Sequence, residues 1–349
     1  MYISNTVCVL IIKSIADAIE TGGLNRTNKT QKSYSLSGII MSGKKEGDKM
    51  SVELNDVKNA CLDKWRDNGT DIDERLQLFN DKFKIWMQQI PKENQATVLT
   101  LIENLEYYSH KRTNAWLKML HNKLLENSNI SDENTIYLFI KSKYGKTNSS
   151  NDYWTEYKLI NNINKNICLT DIDLLDTEDW EYIENIVFID DFSGSGKSFI
   201  NELKKSLGKY RNKNVYFITI NTMVSATEKI ESYCKDNEIN IVLLSVFNQE
   251  KAFSRNFFKN NDIAKNEINT MSQIFSIPNK EIMGYDDGEA LVVFYNNTPN
   301  NTLGFIRYDT NSYQSIFPRV NDKTPKWMNM KKKRKQRKNA NYNNKIGSD

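Results

Sequence analysis

The chain is poor in the residues on which several common chemistries depend. Of its 349 residues only two are histidine, His110 and His121, and four are cysteine. Cys8, Cys61, Cys168 and Cys234 are scattered, with no Cys-x-x-Cys pair. That argues against a zinc centre, so no metal ligands are assigned, and against a disulfide framework. Unpaired thiols suit a reducing cytoplasm. Long apolar runs are missing as well. Val7 to Ile12 falls well short of the roughly 20 residues a membrane helix needs. It has neither a basic flank before it nor a clear cleavage site. No membrane partner is expected. What is present, 39 % hydrophobic and 26 % charged residues, is the composition of an ordinary globular protein, with room for one large domain or two modest ones.

Charge is unevenly placed. The formal net charge is +4, but Asp322 to Asp349 alone carries +8, leaving the body at −4. The block Lys331-Lys332-Lys333-Arg334-Lys335-Gln336-Arg337-Lys338 repels itself, so residues 322–349 are expected to form a disordered basic tail. Such a tail suits nucleic acid, through release of phosphate counterions. At the other end, Ala16 to Lys49 is rich in Gly, Asn, Thr, Ser and Lys and lacks an apolar period. Residues 1–50 are therefore expected to be mostly disordered.

Residues 51–130 read as helical. Phe79, Phe83, Trp86 and Ile90 step by four, three and four along one helix face, which Pro91 ends. Val98, Leu101, Leu105 and Tyr108 repeat the period within Glu93 to Tyr108. Ser109 is a good N-cap for a third helix through Glu126, with Trp116, Leu120 and Leu124 inward. Three short helices with tight connections resemble a winged-helix or helix-turn-helix unit. Lys111, Arg112 and Lys118 lie on polar positions of the third helix. They are candidates for contact with nucleic acid, set against a solvated basic face on a packing helix.

Residues 131–321 alternate strands with helices. Strands are expected at Thr135 to Ile140, from Ile186, at Val215 to Ile220, at Ile239 to Leu244 and at Glu289 to Tyr295. Helices are expected after Ser198 and at Ala226 to Lys235. That order predicts a parallel sheet with right-handed crossovers, binding ligands at the carboxyl ends of its strands. Asn248 to Met283 reads either as a helical hood over the site or as a helical insertion. Asn296 to Leu303 follows a strand with dense Asn and Thr, either short side-chain donors and acceptors or an Asx-rich turn.

The chain is organised around Ile186 to Ser198. Four apolar residues end on Asp190 and Asp191. Ser193-Gly194-Ser195-Gly196-Lys197-Ser198 follows, and a helix opens. A glycine loop running into a helix N-terminus is a phosphate site, because unpaired amides and the helix dipole face the anion. The ATP/GTP P-loop does not fit, since its first glycine would fall at Asp191 and set a carboxylate where the loop wraps phosphate.

Apolar strand, Asp-Asp, and a small-residue loop ending Gly-x-Ser instead resemble the type I phosphoribosyltransferases. The resemblance implies that Asp190 and Asp191 hold the ribose 2′- and 3′-hydroxyls of phosphoribosyl pyrophosphate. It implies that Ser193, Gly194, Ser195, Gly196, Lys197 and Ser198 hold the 5′-phosphate, with Mg²⁺ carried by the pyrophosphate. Gly-Lys-Ser resembles the Gly-Lys-Thr of hypoxanthine-guanine members, but those carry an aspartate at the place of Gly194. A pyrophosphate loop after an early strand makes Lys146, in Gly145-Lys146-Thr147, a candidate.

The stretches Trp86 to Tyr108, Ile186 to Ser198, and Phe294 to Leu303 with Phe317-Pro318-Arg319 resemble together the PRTase-CE group of bacterial conflict systems. That group carries an N-terminal winged-helix-like region. The resemblance covers roughly residues 70–320, and the chain departs from the group's proline at Gly304. It implies a type I phosphoribosyltransferase-like sheet flanked by helices, preceded by a small helical domain. It also implies an effector of retron-type anti-phage defence, with a reverse transcriptase and its DNA or RNA product as partners. Two classes stay open: a phosphoribosyl-transferring enzyme, and a non-catalytic nucleotide sensor that binds nucleic acid through its helices.

Overall fold

An interior strand covered by helices on both faces hides an unbroken apolar run, and parallel pairing provides that environment. The computed structural model describes residues 46–67, 73–126, 129–142 and 148–320. Its first elements are helices α1 (Glu46–Trp65), α2 (Glu74–Gln88) and α3 (Gln95–Glu103), strand β1 (Glu106–Tyr108) and helix α4 (His110–Glu126). Then come β2 (Thr135–Phe139), α5 (Ser149–Ile160), α6 (Thr177–Tyr182), β3 (Asn185–Ile189), β4 (Phe192–Ser193), α7 (Lys197–Lys205) and α8 (Leu207–Tyr210). The chain continues with β5 (Asn214–Met223), α9 (Val224–Asp236), β6 (Asn240–Gln249), α10 (Asn261–Ile274), α11 (Asn279–Ile282), β7 (Val292–Phe294) and α12 (Gly304–Arg307).

The main sheet is parallel throughout, with β2, β3, β5 and β6 side by side. β3 runs from Asn185 beside Asn214 to Ile189 beside Ile218. β4 resumes on β5 in the same register, Phe192 beside Asn221. Asp190 and Asp191 thus lie within one continuous pairing. Period-two alternation gives each face its own core. Val187 and Ile189 pack with Trp116, Leu120, Tyr153 and Tyr157 from α4 and α5. Ile186 and Phe188 pack with Phe199, Leu203 and Ile230 from α7 and α9. Burial also pushes the Cys234 thiol up to about 12.

β5 and β6 each run to ten residues, past the ends their apolar runs suggest. The extensions include the polar Asn221, Thr222, Asn248 and Gln249, which parallel pairing rather than hydrophobicity holds.

The helical segment departs from its expected outline at two points. α1 begins at Glu46, inside the first fifty residues, and buries Val57, Cys61, Leu62 and Trp65 along one face. α3 stops at Glu103, and Glu106 to Tyr108 pairs in parallel with Val292 to Phe294 instead of continuing the helix. The aromatic pair Tyr107 and Tyr108 suits a strand, and tertiary pairing overrides the helical period. Ser109 acts as expected, its hydroxyl accepting from the Arg112 amide at 3.2 Å.

Residues from both ends of the described chain share one core with α1 to α3. Trp65 meets Phe79 edge-on at 4.9 Å, and Phe79 stacks on Phe317 at 5.4 Å. The stretch after β6 is a helical insertion into this core, through Ala264, Ile268, Met271 and Phe275. Arg75 binds the ends together. Its guanidinium donates to the Phe294 carbonyl at 2.7 Å, to Thr298 Oγ1 at 2.8 Å and to the Pro318 carbonyl at 3.0 Å. Gly304 sits where a Cβ would fall 2.5 Å from the Glu281 carbonyl oxygen, so only glycine fits.

Arg75→Ala strands three acceptors at once. It should lower unfolding free energy by about 2–4 kcal/mol, measured as a drop in the urea midpoint with an unchanged slope.

Candidate functional site

Parallel pairing carries the two acids into the protein rather than leaving them at a wet strand end. The Asp190 amide donates to the Ile218 carbonyl at 2.9 Å. The Asp191 carbonyl accepts from the Ile220 and Asn221 amides at 3.0 and 3.3 Å. Both residues are buried, 8 % and 7 % exposed. Asp190 Oδ1 accepts from the Asp191 amide at 2.9 Å, which preorganises that carboxyl. Burial pushes the Asp190 carboxyl well above the ordinary range, and the neighbouring Asp191 carboxylate adds to the effect.

The loop that follows is built around two glycines. Gly196 has φ +71° and forms the N-cap of α7, a left-handed conformation that favours glycine. The α7 amides therefore open toward the loop with no side-chain cap. At Gly194 a Cβ would fall 2.0 Å from Asn301 Oδ1, so the Asn301 side chain fills the space beside the loop. Ser193 Oγ is fully buried and has no hydrogen-bond partner. Ser195 is half-buried and Ser198 exposed. Lys197, expected among the residues that hold the 5′-phosphate, is exposed and donates to Asp286 Oδ1 at 2.5 Å.

Helix α5 closes the opposite side. The Ser150 hydroxyl accepts from the Ile140 amide at 2.8 Å and donates to the Ile189 carbonyl at 2.6 Å. That clip sets the first turn of α5 against the ends of β2 and β3. Burial raises the Asp152 carboxyl, and the Asp191 charge raises it further. One turn on, Glu156 bonds to His110 and accepts from the Tyr295 hydroxyl at 3.1 Å.

The other sequence candidates lie elsewhere. Lys146 is outside the described residues, as is the basic block from Lys331 to Lys338. Lys111 and Lys118 are exposed on α4. Arg112 is turned inward, donating to the Lys64 and Arg66 carbonyls at 3.0 and 2.7 Å and lying 3.4 Å from Asp67 Oδ1, so it caps the end of α1. Sequence reasoning missed Asn301, Asp286 and Asp152 as neighbours of the site. The dense Asn run from Asn296 to Asn301 was the one available signal.

The donor set suits Mg²⁺ only in company with a ligand. Among the described residues there is no group of three or more acidic, histidine or cysteine side chains placed to hold a metal. Two adjacent buried carboxylates are what Mg²⁺ uses when water and substrate phosphates complete its shell.

A family model described as PRTase-CE matches residues 83–319. No curated protein matches the chain. Solved structures that resemble it include a xanthine-guanine-hypoxanthine phosphoribosyltransferase of Helicobacter pylori, at 11 % identity over 42 % of this chain and 89 % of that one, TM-score 0.28. A hypothetical protein of Neisseria gonorrhoeae with bound ppGpp matches at 12 % identity, covering 42 % of this chain and 85 % of that one, TM-score 0.28. No described helix is long and apolar enough to cross a membrane.

Two changes probe the strain held here. A carboxyl raised on folding binds its proton more tightly in the native state, so it lowers stability as pH rises from its unfolded value through its folded one. Asp190→Asn should therefore raise the melting temperature of the ligand-free protein at pH 7, with the gain vanishing below pH 4. Gly194→Ala should do the reverse, costing about 1–3 kcal/mol by overpacking against Asn301, read from urea unfolding.

Proposed function

The chain belongs to the PRTase-CE family, and from that premise we propose that it binds the ribose 5-phosphate end of phosphoribosyl pyrophosphate or a related nucleotide. One observation carries the reading. Two adjacent buried acids end an interior parallel strand and run directly into a glycine-capped helix. A ribose diol offers two hydroxyl donors, and Asp190 and Asp191 offer the acceptors. A phosphate offers oxygens, and the loop from Ser193 to Ser198 offers backbone amides, the α7 N-terminus and the unpartnered Ser193 hydroxyl.

With these groups in place the residues have distinct tasks. Asp190 is held by its bond from the Asp191 amide, so its carboxyl is oriented before ligand arrives. Asp191 lies on the α5 side, where its charge is felt by Asp152 and Tyr295. Bound Mg²⁺ would neutralise pyrophosphate charge and assist its departure. Transfer would proceed by displacement at the ribose C1, with positive charge developing on the ring beside the acid pair.

The wider role we propose is that of an effector in retron-type anti-phage defence in the bacterial cytoplasm, partnered by a reverse transcriptase and its nucleic-acid product. The winged-helix-like reading of the helical segment belongs with it. Nucleic-acid contact there rests on Lys111, Lys118 and the basic tail, since Arg112 is committed to α1.

Titration calorimetry of phosphoribosyl pyrophosphate with Mg²⁺ tests the site. Asp191→Asn should weaken binding by about ten-fold to a hundred-fold, the loss of one charged hydrogen bond. Circular dichroism serves as the folding control. No heat at millimolar ligand for the unaltered chain would sink the reading. Release of pyrophosphate in the same sample separates an enzyme from a sensor.

A further inference from the structure

The phosphate loop carries one cation of its own, Lys197, and that cation is taken. Its amine lies 2.5 Å from Asp286 Oδ1. A second lysine, Lys229 on α9, reaches the other oxygen of the same carboxylate at 3.6 Å. Two lysines from different helices thus converge on one acid at the mouth of the loop.

Asp286 is not there by chance of an extended surface chain. It has φ +58°, and Asp287 and Glu289 both have φ +49°. Three non-glycine residues in the left-handed region within four positions is a costly conformation. Gly284, at φ +79°, opens the segment. The same segment is jammed against the loop through Asn301. A Cβ on Gly284 would fall 2.1 Å from the Asn301 carbonyl oxygen, and one on Gly288 would fall 2.7 Å from Asn301 Cβ. Gly194 of the loop meets the Asn301 side chain at 2.0 Å by the same measure. Asn301 is therefore a wedge with the phosphate loop on one side and the Asp286 segment on the other.

From this geometry we propose that Asp286 is a resident counter-anion of the phosphate loop, holding Lys197 and Lys229 until a ligand phosphate takes Lys197 from it. The inference rests on the phosphate reading of the loop and names its regulation. A carboxylate carries one negative charge and a phosphate close to two, so the dianion competes for the lysine while a neutral sugar does not. The pair is reciprocal in its effects: Asp286 draws the Lys197 ammonium up, and Lys197 pulls the Asp286 carboxyl down. Asp286 thereby sets a charge threshold for entry. Release of Lys197 would free the strained 284–289 segment to move against Asn301.

The test titrates ribose 5-phosphate, with ribose and inorganic phosphate as parallel probes, into the full chain. Asp286→Asn keeps the left-handed backbone, which asparagine tolerates well. It should tighten ribose 5-phosphate and phosphate by about two- to five-fold, the range of an exposed ion pair, and leave ribose unchanged. In a Lys197→Ala background most of that gain should disappear. Asp286→Gly, which also suits a positive φ, repeats the measurement if the asparagine variant melts early. Equal or weaker phosphate binding in both variants, while Asp191→Asn still weakens ribose 5-phosphate, overturns the inference and leaves the binding reading intact. A gain that persists without Lys197 overturns it too. Failure of ribose 5-phosphate to bind any variant removes both.

Discussion

Two carboxylates side by side at the end of a buried strand are the constraint on which the rest of this structure depends. Burying them is costly, and burial pushes the Asp190 carboxyl well above the ordinary range. Backbone pairing holds them in place. β5 runs beyond Ile218 to pair with the chain on the far side of the acids, and the Asp191 carbonyl takes two of its amides. The helices then have fixed places: α7 starts from the loop that the acids feed, and α5 is clipped to the same strand ends by Ser150. The acids gain position at the expense of stability, as functional groups often do.

The sheet alone does not close this site. The helical segment and the last third of the chain do so together. β1 pairs with β7, and Arg75 ties α2 to the Phe294 and Pro318 carbonyls. Leu303 is buried in that shared core, while Asn301 of the same connection lies against Gly194. Packing among α1, α2, α3 and residues 252–317 thus fixes the wall beside the Ser193 to Ser198 loop. A change at Arg75 or Gly304 acts on the loop through this route, without touching a ligand.

Charge follows the same division of labour. The acid pair is buried, and Asp191 faces the α5 side, where Asp152 and Tyr295 feel its charge. The lysines stand at the exposed rim, paired with Asp286. The proposed ligand, with a diol at one end and a phosphate at the other, would meet acceptors and donors in that order. Solvent screens the rim but not the acids, so salt acts first on Lys197.

The local pattern was enough to specify the central strand, the Asp-Asp pair, the glycine loop and the helix after it. Each is a short-range consequence of residue type: an apolar run must be buried, Gly196 takes φ +71°, and amides at a helix start are unpaired. The faces of α2 and α4 were legible for the same reason, through Phe79, Phe83, Trp116 and Leu120. Tertiary structure alone decided the rest. Glu106 to Tyr108 is a strand because Val292 to Phe294, far along the chain, pairs with it. Asn221 and Thr222 extend β5 because β4 and β6 flank them. Arg112 is structural because α1 ends beneath it. Asn301 and Asp286 reach the loop only when residues about a hundred positions apart are brought together. Sequence periodicity records which side chains a segment must bury; it carries no information about which distant segment will cover them.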